Sequence, residues 1–126
     1  MNKIIIETDK APKAVGAYSQ GVMANGILFI SGQVPLDPDT GKMVEGSIGD
    51  KTRRAMDNIG GILEAGGMSW DNLVKVTILL KDIKDFAEVN KVYQNYFTKD
   101  FPARACYQAG NLPVNASIEI EAIAMK

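Results

Sequence analysis

Two apolar runs joined by Asn25-Gly26, in the stretch GVMANGILFISGQ, restrict the fold of this chain more than any other feature. An Asn-Gly pair between apolar runs favours a two-residue hairpin turn, because both residues accept positive φ. A Pro/Asp/Gly cluster, PLDPDTGK, follows and predicts a turn that closes this region. We therefore expect a β-sheet built around this hairpin.

The remaining patterns predict two helices and further strands. Apolar residues at helical spacing predict a helix from Ile48 to Ala65, and Asp85 with Glu88 resembles a capping box that starts a second helix ending near Thr98. The expected order is a strand, a hairpin, a helix, a strand, a helix and two strands, with strands at 73–82, 104–109 and 117–125. This order indicates an α+β fold with both helices on one face of the sheet. Gly60-Gly61 in the first helix is expected to let that helix approach the sheet.

The alternation of residues along the strands assigns them to two faces. In the last strand, one face carries Ile118, Ile120, Ala122 and Ala124, and it is expected to pack on the helices. The other face is mixed rather than polar, because Phe29 is expected beside Ser31 and Gln33, and Leu73 and Leu79 beside Thr77. A mixed face of this kind is typical of burial against another copy of the chain, so we expect a homo-oligomer.

Composition excludes several classes of protein. The 126 residues suit one domain, 1–126, and a net charge of −1 offers no basic surface for nucleic acid or an anionic membrane. The single Cys106 excludes an internal disulfide, and the N-terminal apolar run is too short for a signal peptide, so we expect a cytoplasmic protein. The chain contains no histidine, which excludes Ser-His-Asp and Cys-His catalysis within it. We expect no metal and no cofactor.

Arg104 and Glu119 are the strongest candidates for chemistry. Arg104 stands in the apolar stretch FPARAC, where partial burial would demand an anionic partner. That partner is either a carboxylate of the protein or the carboxylate of a ligand, and the residues alone leave both open. Glu119 lies with Glu121 on the face of the last strand that avoids the core. If a neighbouring subunit covers that face, burial would raise the proton affinity of Glu119 and make it a general acid/base.

Four further positions are weaker candidates. Cys106 is more typical of a small buried hydrophobe than of a nucleophile, because the chain has no histidine to activate it. Tyr18 is equally consistent with packing and with a cleft. Gly32, after Ser31, interrupts a strand and would permit a close approach. Asn90 lies on the apolar stripe of the second helix, where bracing of the structure is its more typical use.

Several motifs in this order resemble those of the RidA family, also called YjgF/YER057c/UK114. The resemblance extends from about Thr8 to Met125, and the motifs that carry it are GAYSQG, FISGQVPLDPDTG, DNIGGILEAGG, VKVTILLKDIKDFAEVNKVYQNYF, FPARAC and IEIEAIA. The resemblance implies a chorismate-mutase-like α+β fold with a mixed sheet, assembled as a homotrimeric barrel with clefts between subunits. It also implies hydrolysis of reactive 2-imino and 2-enamino acids, released by pyridoxal-phosphate-dependent serine or threonine dehydratases, to 2-oxo acids and ammonia.

The resemblance also assigns residues to the cleft. It implies that Arg104 and Glu119 are catalytic, and that the substrate is bound by Tyr18, Ser31, Gly32, Asn90, Arg104, Ala105 and Cys106. Two alternatives stay open: a non-catalytic binder of 2-oxo or short carboxylic acids, and a translation inhibitor or chaperone-like protein. The near-neutral charge argues against a protein that acts on RNA.

Overall fold

A computed structural model describes residues 2–126 and contains one six-stranded sheet and two α-helices. The elements in chain order are β1 (Lys3–Ile6), β2 (Gly21–Ala24), β3 (Ile27–Gln33), α1 (Ile48–Ala65), β4 (Leu73–Leu80), α2 (Phe86–Tyr93), β5 (Ala103–Gln108) and β6 (Ile118–Met125). The predicted order of elements is therefore confirmed. No helix in the described part of the chain is long and apolar enough to cross a membrane.

The sheet is mixed and has the strand order β1-β2-β3-β6-β4-β5. Every neighbouring pair is antiparallel except β4 and β5, which are parallel and joined through α2. A parallel pair needs a crossover connection, and α2 supplies it. As a result, β5 is an edge strand with α2 close to its side chains.

The predicted hairpin joins β2 to β3. Asn25 and Gly26 have φ angles of 51° and 77°, the left-handed values that a type I′ turn requires. This turn fixes the register in which Val22 pairs with Phe29. The turn chemistry of two residues thus sets the faces of both strands.

Helix α1 has the predicted bounds and begins at a capping box formed by Ser47 and Asp50. Its buried stripe includes Thr52, Ala55, Ile59, Ile62 and Leu63, as its spacing predicts. The expected role of Gly60 and Gly61 is wrong. A side chain on Gly60 would meet Trp70, and one on Gly61 would meet the backbone of Lys10 at 2.7 Å, so both accommodate the segments around the helix rather than the sheet.

Helix α2 is shorter than predicted, and its predicted cap is absent. The helix ends at Tyr93 and continues only as a 3₁₀ turn over Gln94–Tyr96. Asp85 forms no side-chain capping bond, because its own backbone is helical, with φ −76° and ψ −7°. Glu88 instead accepts a hydrogen bond from the backbone N–H of Gly49 at 2.9 Å, which ties α2 to the start of α1.

The core lies between the helices and one face of the sheet. Ile118, Ile120, Ala122 and Ala124 of β6 are all buried there, as their alternation predicts, together with residues of both helices. Two expected faces are wrong because β3 and β4 contain bulges against β6. Each bulge shifts the alternation by one residue, so Gln33 and Leu73 lie on the core side.

On the opposite side of the sheet, called the open face below, the described part of the chain places no helix. A row of paired residues crosses this face from β1 to β4, consisting of Ile5, Val22, Phe29, Ile123 and Lys75. Phe29 is 46% exposed, which is unusual for a large aromatic side chain in the middle of a sheet. The mixed character that the sequence predicts for this face is therefore present.

Candidate active site

Arg104 lies on the edge strand β5 and faces the helices. It pairs with Val76 of β4, a core residue that is 1% exposed, so both side chains point to the helix side of the sheet. Its Nη1 donates a hydrogen bond of 2.7 Å to Oδ1 of Asn90 on α2. Within residues 2–126, no acid forms an ion pair with Arg104. Of the two partners that the sequence leaves open, a carboxylate of the same chain is therefore not the one observed.

Two aromatic rings flank the same guanidinium. The Cζ atom of Arg104 lies 4.9 Å from the ring centroid of Tyr93 and 5.3 Å from that of Phe86. Both distances are within the range of cation–π contacts. Phe86, Asn90 and Tyr93 follow one another at helical spacing, so one face of α2 presents all three side chains to Arg104. We call Phe86, Asn90, Tyr93 and Arg104 the arginine cluster.

Cys106 is close to Arg104, but its surroundings favour the protonated thiol over the nucleophilic thiolate. It pairs with the core residue Ile78, is half-buried and packs against the core. Burial raises the pKa of the Cys106 thiol, against the smaller lowering effect of Arg104. The neutral thiol is therefore favoured, which agrees with its interpretation as a small hydrophobe. Ala105, its neighbour, faces the opposite side of the sheet.

Glu119 lies on the open face of β6, beside the bulge that contains Ser31 and Gly32. A side chain on Gly32 would clash with the carboxylate of Glu119, so the glycine is what admits this acid. Burial, and secondarily the charge of Glu121, raise the pKa of Glu119. The Ser31 hydroxyl donates a hydrogen bond to the carbonyl of Ser19, which ties the bulge to the loop that carries Tyr18.

A cavity of about 680 Å³ opens in front of Glu119. Tyr18, Ser31 and Gly32 line it, together with the apolar side chains of Val15, Val34, Leu36 and Val114. We call Tyr18, Ser31, Gly32 and Glu119 the glutamate cluster. The largely apolar cavity and the raised pKa of Glu119 make this acid a candidate for proton transfer.

The two clusters lie on opposite faces of the sheet in one chain. Arg104 of β5 pairs with Val76 of β4, which in turn pairs with Ala122 of β6, so Arg104 lies two strands from β6. Glu119 lies on β6, three residues from Ala122. Strand spacing and rise then separate their Cα atoms by about 14 Å, with the sheet between the side chains. One small substrate cannot contact both residues in the same chain. Within one chain, the predicted site residues therefore lie in two separate clusters rather than in one.

The sequence analysis did not predict that the rings of Phe86 and Tyr93 contact the guanidinium of Arg104. Their spacing with Asn90 was visible as an apolar stripe, but the stripe alone indicated only core packing. The missing information was the parallel pairing of β4 with β5, which brings α2 over Arg104. It also missed Val15 and Val114, which lie in loops and carry no motif.

The fold and the two clusters define a class of small α+β proteins with an arginine that forms no ion pair within residues 2–126 and an acid of raised pKa. The family model described as Endoribonuclease L-PSP matches residues 8–126. A 2-iminobutanoate/2-iminopropanoate deaminase of Bos taurus is 49% identical over 122 residues, which cover 97% of this chain and 89% of the relative.

Solved structures agree with this match. A Thermotoga maritima structure superposes with a TM-score of 0.96 at 50% identity, covering 98% of this chain and 97% of that one. The structure of TdcF from E. coli, which has serine bound, superposes with a TM-score of 0.93 at 39% identity and covers 98% of both chains. The chain belongs to the RidA (YjgF/YER057c/UK114) family, and its fold is the α+β fold of that family.

Proposed function

We propose that this protein hydrolyses short-lived 2-imino and 2-enamino acids to 2-oxo acids and ammonia. The observation that carries the proposal is the arginine cluster, which holds a guanidinium that no acid among residues 2–126 neutralises. A planar guanidinium binds a carboxylate through two parallel hydrogen bonds, and every substrate of this class has a carboxylate. The relative from Bos taurus is named for this activity.

The proposed active site combines the arginine cluster of one subunit with the glutamate cluster of the next. Two features support this arrangement: the clusters lie on opposite faces of one sheet, and the open face carries exposed apolar residues such as Phe29. Burial of that face in a homotrimer would remove its apolar surface from water. It would also bring a guanidinium to the cavity in front of Glu119. Each trimer would then contain three equivalent sites between subunits.

In the proposed mechanism, Arg104 binds the carboxylate and so fixes the neighbouring C=N carbon. The oxygen of a water adds to that carbon, while the π electrons of the C=N bond move to nitrogen, which takes a proton. The C–N bond of the resulting carbinolamine then breaks as the proton of its hydroxyl group is transferred to nitrogen, and ammonia and the 2-oxo acid leave. Glu119 accepts the proton of the water and delivers a proton to nitrogen, and its raised pKa suits both steps.

The assignment of the remaining residues follows from their places in the two clusters. Tyr18, Ser31 and Gly32 would shape the substrate cavity, and the backbone at Ala105 and Cys106 would offer hydrogen bonds to the bound acid. The imine is already an electrophile, so the proposed steps call for no metal or cofactor. A cytoplasmic site of action belongs to the same proposal, and the unpaired Cys106 is typical of such a compartment.

An assay coupled to threonine dehydratase tests this proposal. The wild-type protein is expected to accelerate release of 2-oxobutyrate and to lower the amount of imine that semicarbazide traps. Arg104→Ala is expected to lose this acceleration by about 100-fold or more, because the substrate is no longer oriented. Arg53→Ala is the matched control, since Arg53 lies exposed on α1 and its ion pair in the described part of the chain is with Asp50.

The same assay separates catalysis from binding. If the wild-type protein binds 2-oxobutyrate but accelerates no imine hydrolysis across several amino-acid substrates, the protein is a binder and the proposal is wrong. If Arg104→Lys retains full activity, the paired planar contact is wrong, because an ammonium group cannot reproduce it.

A further inference from the structure

We infer that Phe86, Asn90 and Tyr93 are positioning residues, which hold the guanidinium of Arg104 in one orientation and leave its Nε–Nη2 edge to receive a carboxylate. The inference deepens the proposed function and rests on it only for the identity of the ligand. It concerns how the guanidinium of an exposed arginine on an edge strand is held in an orientation that can bind a carboxylate.

The hydrogen-bond pattern defines which edge of the guanidinium is occupied. Arg104 has N–H groups on Nε, Nη1 and Nη2, and within residues 2–126 only Nη1 has a partner, the Oδ1 of Asn90. The Nε–Nη2 edge carries two parallel N–H groups, which match the two oxygens of a carboxylate. Asn90 therefore occupies the position that leaves a complete bidentate edge unused.

The aromatic rings restrict the plane of the same group. Phe86 and Tyr93 both lie within cation–π distance of Cζ of Arg104. The Tyr93 ring is itself immobilised, because it is 2% exposed and packs against Phe97 with a centroid distance of 5.1 Å. A ring fixed in the core can hold a side chain that lies at the surface.

The ring of Tyr93, rather than its hydroxyl group, makes this contact. The hydroxyl oxygen is buried and has no hydrogen-bond partner within residues 2–126. Burial raises the pKa of Tyr93 to about 12, so the group stays neutral, although Arg104 opposes the shift. Removing the hydroxyl group of Tyr93 should leave the orientation of the Arg104 side chain unchanged, whereas removing the ring should make that side chain mobile.

The matched variants Tyr93→Phe and Tyr93→Leu test the inference through the side-chain Nε–Hε signal of Arg104 in ¹⁵N NMR relaxation. The signals of Arg53 and Arg54 serve as controls in the same spectrum. We expect a rigid Arg104 signal in the wild type and in Tyr93→Phe, and a mobile one in Tyr93→Leu. The dissociation constant of 2-oxobutyrate should rise about tenfold in Tyr93→Leu and stay within about twofold in Tyr93→Phe, because only the first loses the ring.

Phe86→Leu is a second variant at a partly exposed position, where unfolding is less of a risk than in the core. It should also increase the mobility of Arg104, while the backbone spectrum of β6 stays unchanged. If the Arg104 signal is equally rigid in both leucine variants, the positioning role is wrong. If the signal responds as expected but 2-oxobutyrate never perturbs it in the wild type, the positioning role stands. The assignment of the Nε–Nη2 edge to a carboxylate is then wrong, and with it the substrate-binding role that the proposed function gives to Arg104.

Discussion

Arg104 differs from an ordinary surface arginine because its partners are an amide and two aromatic rings rather than an acid. Its nearest hydrogen-bond acceptor, Asn90, carries no charge, so the positive charge stays available to a ligand. Glu119 is the complementary case, since its carboxylate is partly withdrawn from water on the open face. These two residues carry the proposed chemistry, and each has surroundings that suit its role.

Glu119→Gln should lower activity and raise stability at neutral pH. Activity should fall about 100-fold, because proton transfer by a positioned acid or base contributes factors of that size. The pKa of Glu119 is raised on folding, so the folded state binds more protons than the unfolded state between the ordinary carboxyl pKa and the raised one. Wild-type stability is therefore lost as pH increases through that window, and the glutamine variant should not show this loss.

Melting temperatures of both proteins between pH 4 and pH 8, together with the coupled assay, check this prediction. The melting temperature of Glu119→Gln should exceed that of the wild type at the alkaline end, and the difference should shrink towards pH 4. A variant that is both fully active and no more stable at pH 8 would contradict the role given to Glu119.

Cys106→Ala should keep most of the activity. The thiol is half-buried, and burial raises its pKa, so little thiolate exists near neutral pH. We expect kcat/KM within about threefold of the wild type, since only a small packing change follows. Steady-state kinetics and the rate of alkylation by iodoacetamide are the measurements. Rapid alkylation with complete loss of turnover in Cys106→Ala would instead indicate a nucleophile.

At the scale of elements, the bulge in β3 connects the fold to the site. It turns Gln33 into the core and places Gly32 against Glu119 on the open face. Bulges redirect side chains in this way at functional sites of many sheets. The site therefore depends on one irregularity in an otherwise regular strand.

Gly32→Ala should disable the site while the fold persists. The added methyl group would overlap the Glu119 carboxylate, which is the end of a flexible side chain and can move away. Activity should fall about tenfold or more through displacement of the acid, and the free energy of unfolding should change by about 1 kcal/mol. Kinetics and urea denaturation measure the two effects.

Gly110→Ala is the control for this change, because no atom of residues 2–126 outside its immediate chain neighbours lies within 4 Å of the position that its methyl group would take. It should match the wild type in both measurements. Equal activity in Gly32→Ala and Gly110→Ala would show that the contact between Gly32 and Glu119 has no functional importance.

The elements also show what the sequence can and cannot predict. The hairpin at Asn25-Gly26, the bounds of α1 and the core face of β6 were predictable, because local turn chemistry and periodicity determine them. The faces of Gln33 and Leu73 were not predictable, since each bulge depends on pairing with β6, which is distant in the sequence. The predicted capping box of Asp85 and Glu88 was wrong for a similar reason, because Glu88 accepts a hydrogen bond from Gly49 of the other helix.

At the scale of the whole molecule, the central result is that the predicted site residues separate into two clusters on opposite faces of the sheet. Each predicted residue lies in or beside one of them, but alternation could not reveal that Arg104 and Glu119 lie on opposite faces of the sheet. That result depends on the pairing of β5 with β4 and of β4 with β6. The proposed site, which uses both residues, would then require two copies of the chain.

Mixing two inactive variants tests this claim most directly. Arg104→Ala and Glu119→Gln would be unfolded together in equal amounts, refolded, and assayed beside each variant refolded alone. In a homotrimer with sites between subunits, each mixed trimer regains one intact site, so random assembly should restore about a quarter of wild-type activity. If the mixture forms mixed trimers but stays as inactive as the separate variants, Arg104 and Glu119 do not meet across a subunit interface.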